Sequence, residues 1–287
     1  MKYYESNKAI MDIFINEYLT ENTILLNNPS TYPKSWIDFL NQAKPILKIY
    51  KSTNTKNENK KRLSKLKGSY VDPSSYRNKF YHIYEKKLEN FKELMHATDF
   101  SLLCYHATRL TDEEILKVKN EGLSCFDKTT IKNKINFLLK CGYITKIERD
   151  NIIHENLLNS ENHGLRENMI FFVIGNVDVS YNSLKKSSLY DSFNNYGGEI
   201  IYNKFENTDI GRKLKANSSP CIVIFKIKHS LLSKGQISSI SEKIFNNYSK
   251  KNIIKIEECL HLNNINIPIT DVIVVNEKSK IKYRYKI

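Results

Sequence analysis

The hydrophobic period changes at Phe100, and that change limits the chain to folds that join a helical segment to a domain containing a sheet. Upstream, apolar residues recur at helical spacing. Ile10, Ile13, Phe14 and Tyr18 share a face over 7–19, and Trp36, Phe39, Leu40 and Leu47 share another behind Ser35 as a cap. After a turn at Asp72-Pro-Ser-Ser75, the spacing resumes over 76–95 with Phe80, Tyr84, Leu88, Phe91 and Leu94. Downstream, Ser101-Leu-Leu-Cys-Tyr-His-Ala107 is the short continuous apolar run of a buried strand. Thr111-Asp-Glu-Glu114 follows as a capping box, a hydroxyl and a carboxylate three residues apart that satisfy the first free N–H groups of a helix. That helix runs to Gly122, a left-handed cap.

The same reading places helices over 130–140, ending at Gly142, and from Thr145, where Glu148 completes a second capping box. Strands are expected over 169–174, 199–202, 221–227 and 271–275 and from Lys280, with helices over 187–196 and 209–215 between them. Strands interrupted by helices in the C-terminal two-thirds define an α+β class. The expected domains are an N-terminal helical region over 1–98 and a second domain over 99–287.

Composition narrows the function classes. The 287 residues are 40% apolar and include 18 Tyr and 13 Phe, too much aromatic surface for a disordered chain. No apolar run approaches the roughly 20 residues of a membrane span. At the N-terminus, Glu5, Lys8 and Asp12 interrupt any signal-peptide core. Five cysteines (Cys104, Cys125, Cys141, Cys221 and Cys259) are widely spaced and never form Cys-x-x-Cys, which argues against structural zinc and a disulfide framework and for a reduced, cytoplasmic setting.

The net charge of +14 is concentrated. Between Lys51 and Lys67 stand seven basic residues and one acid, Glu58, which reads as a solvated basic loop over 51–68 or, functionally, as a phosphate-contacting segment. Lys280 to Ile287 alternates charged and apolar residues with period two, as a Lys-protected edge strand does.

Two short constellations carry candidate chemistry. Cys104-Tyr-His-Ala-Thr-Arg-Leu-Thr111 puts a His, a hydroxyl and an Arg at the end of a buried strand, although a strand His is more often a satisfied core residue. Asn195-Tyr-Gly-Gly-Glu-Ile-Ile-Tyr202 uses two glycines to deliver a carboxylate to a strand start, with Gly198 removing side-chain bulk beside Glu199. Cys104 beside His106 also has the form of a thiol–imidazole pair, but a buried Cys acting as a small hydrophobe is the commoner case.

Together these elements resemble the ADP-ribosyltransferase fold, and within it the class in which a His, a Tyr and a Glu line the NAD cleft. Tyr105, His106, Ala107 and Thr108 match the Tyr-His-x-Thr-like element of the first core strand, Gly122-Leu123 matches the end of the following helix, and Glu199 matches the catalytic carboxylate. The resemblance spans about 101–287 and implies a split β-sheet core with a helical insertion at roughly 124–168. It implies NAD as substrate, Glu199 as the residue holding the ribose 2′-OH, and His106 and Thr108 on the cofactor's ribose. Tyr181, or else Tyr190, would be the tyrosine stacked on nicotinamide. Arg109 would contact the pyrophosphate or form a surface ion pair. Enzymes of this kind modify macromolecules and often act as toxins or in defence against phage, so the implied acceptor is a protein or a nucleic acid. The position two before Glu199 is Gly197, unlike the Glu/Gln-x-Glu of arginine-modifying members, which argues against arginine as acceptor.

Walker, G-x-G-x-x-G, H-E-x-x-H and G-x-S-x-G patterns are absent, and His154, Glu155 and His163 lack companions for a metal site. Two alternatives keep part of this picture: an RNA 2′-phosphotransferase-like enzyme on a related scaffold, and a non-catalytic nucleic-acid-binding protein working through the Lys51–Lys67 stretch.

Overall fold

The computed structural model describes residues 22–26, 28–69, 72, 77–125, 127–155, 167–175, 196, 201, 205–248, 257–275 and 281–286. The helices expected over 7–19 and 187–196 and the turn at 72–75 fall wholly or largely outside them. In chain order the principal elements are α1 (Lys34–Leu66), α2 (Tyr81–Ala97), β1 (Ser101–Leu110), α3 (Asp112–Glu121), β2 (Leu123–Ser124), α4 (Lys128–Lys140), α5 (Lys146–Glu155) and β3 (Met169–Gly175). They continue with α6 (Asp209–Ala216), β4 (Ser219–Lys228), α7 (Lys234–Tyr248), β5 (Glu257–Asn263), β6 (Asn266–Ile267), β7 (Ile269–Val275) and β8 (Ile281–Lys286). The architecture is mixed α+β.

Two compact units divide the described chain. The first comprises Ile24–Ser101 and Lys228–Ile256, the second Met1–Thr23, Leu102–Ile227 and Glu257–Ile287. The division near residue 100 lies close to the expected boundary, but 228–256 groups with the helical region and not with the sheet. Its helix, α7, is hard to see in the sequence because Gly235, Ser238, Ser239 and Ser241 dilute the apolar stripe of Ile237, Ile240, Ile244 and Phe245.

In the helical unit, Trp36, Leu40, Ala43 and Leu47 repeat at three- and four-residue intervals and make one buried stripe of α1. Trp36 meets Phe91 of α2 and Phe100 edge-on at 5.9 and 5.0 Å, and its indole N–H donates to Thr98 Oγ1 at 3.0 Å. Each fully buried side chain of this size stabilises by about 1.5–3 kcal/mol. Farther along, Tyr50 stacks on Tyr84 at 3.9 Å, and the Lys51 ammonium donates to the Asn246 carbonyl of α7.

The basic stretch is not a loop. Helix α1 continues through it to Leu66 and ends where Gly68, at φ 62°, forms a left-handed cap. Ser69 N–H donates to Ser64 O and Gly68 N–H to Lys65 O, the paired bonds of a Schellman motif. Charge and polarity suggest solvation, which this segment has; they do not by themselves break a helix, and between Pro45 and Gly68 the sequence holds no breaker.

The second unit is built on a sheet of strand order β5-β3-β1-β4-β7-β8, with a separate two-stranded sheet of β2 and β6. The pairs β1–β3, β3–β5, β4–β7 and β7–β8 are antiparallel. The last strand, β8, is an edge, as its alternating Lys pattern suggests. Strand β5 escapes the sequence reading because Glu257-Glu-Cys-Leu-His-Leu-Asn263 has neither a clean apolar run nor a β-branched residue. Beside the sheet, Ile131, Ile135 and Leu138 of α4 form a core with Ile144, Ile152, Tyr196, Ile201, Phe205, Ile210 and Leu214.

Both capping boxes form as expected: Thr111 with Glu114, and Thr145 with Glu148. Of the strand expected over 199–202 only Ile201 lies within the described residues, and it is helical and buried in the core beside the sheet, not in a strand.

Candidate active site

The backbone pairing of β1 with β3 covers Cys104 opposite Ile174 and Tyr105 opposite Val173. The next residue, His106, reaches β3 with its side chain: Nδ1 lies 2.6 Å from the Phe171 carbonyl. A carbonyl only accepts, so Nδ1 carries the proton and Nε2 is the ring's acceptor in the neutral form. Burial lowers the imidazole's affinity for a second proton; the Phe171 bond opposes that effect and the Lys134 ammonium adds to it, leaving the pKa below its ordinary value.

His106 lines a cavity of about 220 Å³ together with Thr108 of β1, Glu114 of α3, Gly122, and Asn133 and Lys134 of α4. Strand alternation puts His106 and Thr108 on the same face, and the capped start of α3 brings in Glu114. Gly122 closes the cavity wall at φ 85°; a Cβ there would stand 2.5 Å from the Ile267 carbonyl oxygen, so only glycine lets β2 approach β6.

Beneath the cavity the polar groups are tied together. Glu114 Oε1 accepts from the Tyr196 hydroxyl at 2.7 Å and from Lys134 Nζ at 2.5 Å, while Oε2 accepts from the Thr111 N–H at 2.9 Å. The Lys134 and Glu114 side chains are only 13% and 8% exposed, and Nζ also lies 4.6 Å from the centre of the Tyr196 ring. Burial, then the charge of Glu114 and the hydrogen bond to it, push the Tyr196 hydroxyl far above its ordinary pKa, so it stays a donor. Each oxygen of Glu114 is thus engaged within the protein, and its part is to hold Lys134 and Tyr196. The cavity lining offers an imidazole acceptor, a hydroxyl and an amide, with the ammoniums of Lys117 and Lys134 balanced by the carboxylates of Glu114 and Glu121, a set that can hydrogen-bond a hydroxyl-rich ligand.

Of the residues singled out in the sequence, His106 and Thr108 come together here. Tyr105 and Arg109 occupy the alternate positions of β1 and are not in the cavity lining; both are buried. Arg109 Nε donates to Ser218 Oγ at 3.2 Å, and Nη2 donates to the carbonyls of Ser218 and Lys215 at 2.6 and 3.0 Å. The guanidinium, buried on the face of β1 away from the cavity, thus ties its Nε and Nη2 to the C-terminal end of α6. Tyr181, Tyr190 and Glu199 lie outside the described residues. Cys104 is buried, and burial raises its thiol well above the usual range, as suits a small hydrophobe and not a nucleophile.

Sequence reading missed Asn133, Lys134 and Tyr196 as site residues and saw Glu114 only as a cap. Lys134 and Asn133 stand in a helix of ordinary polar composition, with no motif to mark them. Among the described residues no group of three or more His, Cys, Asp or Glu is placed to hold a metal ion, and no helix is long and apolar enough to cross a membrane. Comparison with protein-family models, with curated proteins and with solved structures gives no match for the chain.

Proposed function

We propose that the chain is an NAD-dependent ADP-ribosyltransferase of the His-Tyr-Glu type that modifies a macromolecular acceptor. The observation that carries this reading is the placing of His106 and Thr108 side by side in a cavity, with His106 fixed by Phe171 as a neutral imidazole whose Nε2 can accept from a ribose hydroxyl. The switch from backbone pairing to side-chain bonding between β1 and β3 after Tyr105 supports a core whose central strands part at the cofactor end. Further support comes from the neighbours of Glu199 in sequence: Tyr196 and Ile201 are buried against α4, the helix that contributes Asn133 and Lys134 to the cavity.

In this reading the bond between nicotinamide and the ribose anomeric carbon breaks with its electron pair on the nicotinamide nitrogen. The sugar passes through an oxocarbenium-like state. The Glu199 carboxylate holds the 2′-OH and stabilises that charge, His106 and Thr108 orient the ribose, and Tyr181 stacks on the leaving group. An acceptor heteroatom then adds to the anomeric carbon and gives up its proton. Nicotinamide release from NAD tests the assignment. Glu199→Gln is expected to lower it by about 10²–10³-fold, the scale of losing one group that stabilises transition-state charge. Release that survives Glu199→Gln unchanged would overturn the reading.

A further inference from the structure

We infer that the C-terminal half of α1 is a docking surface for double-stranded DNA, laid into the major groove. The two halves of this helix are built differently. Trp36, Leu40, Ala43 and Leu47 anchor the first half, whereas no residue from 48 to 69 is buried. Within this exposed part, Lys56, Lys60, Lys61, Arg62, Lys65 and Lys67 stand against the single acid Glu58, and all six cations are exposed. Lys51 is excluded from the set because its ammonium is already engaged at Asn246.

Neither packing nor internal pairing accounts for this segment. Lys56 with Lys60, and Lys61 with Lys65, are like charges four residues apart, an arrangement that destabilises a helix. A helix polar on every side draws its stability from ion pairs or from a partner, and one acid cannot pair six cations. An opposite-charged partner converts that repulsion into binding by releasing counterions from its phosphates.

The distribution of charge selects the partner. At about 100° per residue, Lys56 and Lys60 fall on one side of the helix, and Lys61, Arg62 and Lys65 on the opposite side. A flat anionic surface would use one side only, and an anionic bilayer would also require an apolar stripe. The stretch offers only Leu63 and Leu66 for such a stripe, 56% and 76% exposed. Cations on both flanks match a groove with phosphates along both walls. The B-DNA major groove, about 12 Å wide, admits a helix of about 10–12 Å diameter, whereas the A-form major groove of RNA is too narrow.

The test is fluorescence anisotropy of the full chain with a labelled mixed-sequence duplex of about 20 base pairs, across a salt series. The expected result is affinity that falls steeply with salt. Each phosphate left unneutralised removes about 0.9 from the log–log slope, so K60Q/K61Q/R62Q should flatten it by about 2–3 and weaken binding at least about tenfold at low salt. K61Q alone should remove about 1, with far-UV circular dichroism showing helicity retained. K86Q/K128Q/K132Q, which removes three exposed cations elsewhere, should change the slope by less than about 1. Unchanged binding by the α1 triple variant would overturn the inference. So would an equal loss in the control variant, or tighter binding of duplex RNA or of vesicles containing phosphatidylserine. The assay contains no NAD, so its failure and the failure of the enzymatic reading are separate outcomes.

Discussion

The two faces of β1 carry charged or titratable side chains three residues apart that behave in opposite ways. Arg109 is 3% exposed, with Nε and Nη2 bonded to the hydroxyl and the backbone carbonyls that end α6. His106 is only partly buried, spends one ring nitrogen on Phe171 and keeps the other as an acceptor beside a cavity. Burying a guanidinium is tolerable only when its hydrogen bonds are made, so Arg109 is committed to the fold. A polar side chain in a strand is available for chemistry when its partners leave an atom over, and alternation along the strand decides which side chain that will be.

The largest expected effect lies on the Arg109 face. Arg109→Ala removes the guanidinium donor from the Ser218 hydroxyl and from the Ser218 and Lys215 carbonyls and opens a void; unfolding in urea should show a loss of about 3–4 kcal/mol. Arg109→Lys should recover little, because an ammonium cannot reproduce the planar fork. By contrast, His106→Ala should cost about 1 kcal/mol in the same assay while abolishing whatever the cavity binds. If the two substitutions proved equally destabilising, the contrast between the faces would fail.

Next in size is Glu114→Gln, expected to destabilise by about 2–3 kcal/mol because it removes the carboxylate charge paired at 2.5 Å with the largely buried Lys134 ammonium. A double-mutant cycle with Lys134→Met should show strong coupling, the double variant being more stable than Glu114→Gln alone. Additive losses would mean that the pair does not act as a unit.

Much of this was legible in the sequence, for reasons that differ by element. Thr111-Asp-Glu-Glu114 reads correctly because a capping box is a local bond pattern with fixed spacing. Strand β1 reads from its apolar run, and with it His106 and Thr108. The bonds of Arg109 were not legible because its partners at Lys215 and Ser218 are more than a hundred residues away, and two of the three are backbone carbonyls that carry no sequence signature. Lys134 went unnoticed for the same reason: its meaning depends on Glu114 and Tyr196, which only tertiary packing brings to it. The end of α1 was legible at Gly68 all along, but the density of charge before it outweighed the absence of a helix breaker.

A smaller effect is expected where the wall of the cavity turns. Gly122→Ala places a Cβ against the Ile267 carbonyl oxygen in a backbone region that L-residues rarely adopt. The strain of about 1–3 kcal/mol should lower the melting temperature and loosen the pairing of Leu123 with Ile267. Hydrogen exchange at Leu123 and Ser124 would report that loosening, and unchanged protection would show that the β2–β6 contact does not depend on the glycine.

The smallest effect is a pH dependence specific to the His106 face. Burial and the nearby Lys134 ammonium hold the folded imidazole's pKa below its unfolded value of about 6.5, so the unfolded chain takes up the proton first as pH falls. Folding stability from this group is complete above about pH 6.5 and declines on acidification through the interval down to the folded pKa, at no more than about 1.4 kcal/mol per pH unit. His106→Gln keeps a donor for Phe171 and removes the titration. In urea unfolding at pH 7.5 and pH 5.5, the wild type should therefore lose more stability than His106→Gln over that interval. An equal loss in both proteins would mean that protonating His106 does not oppose folding.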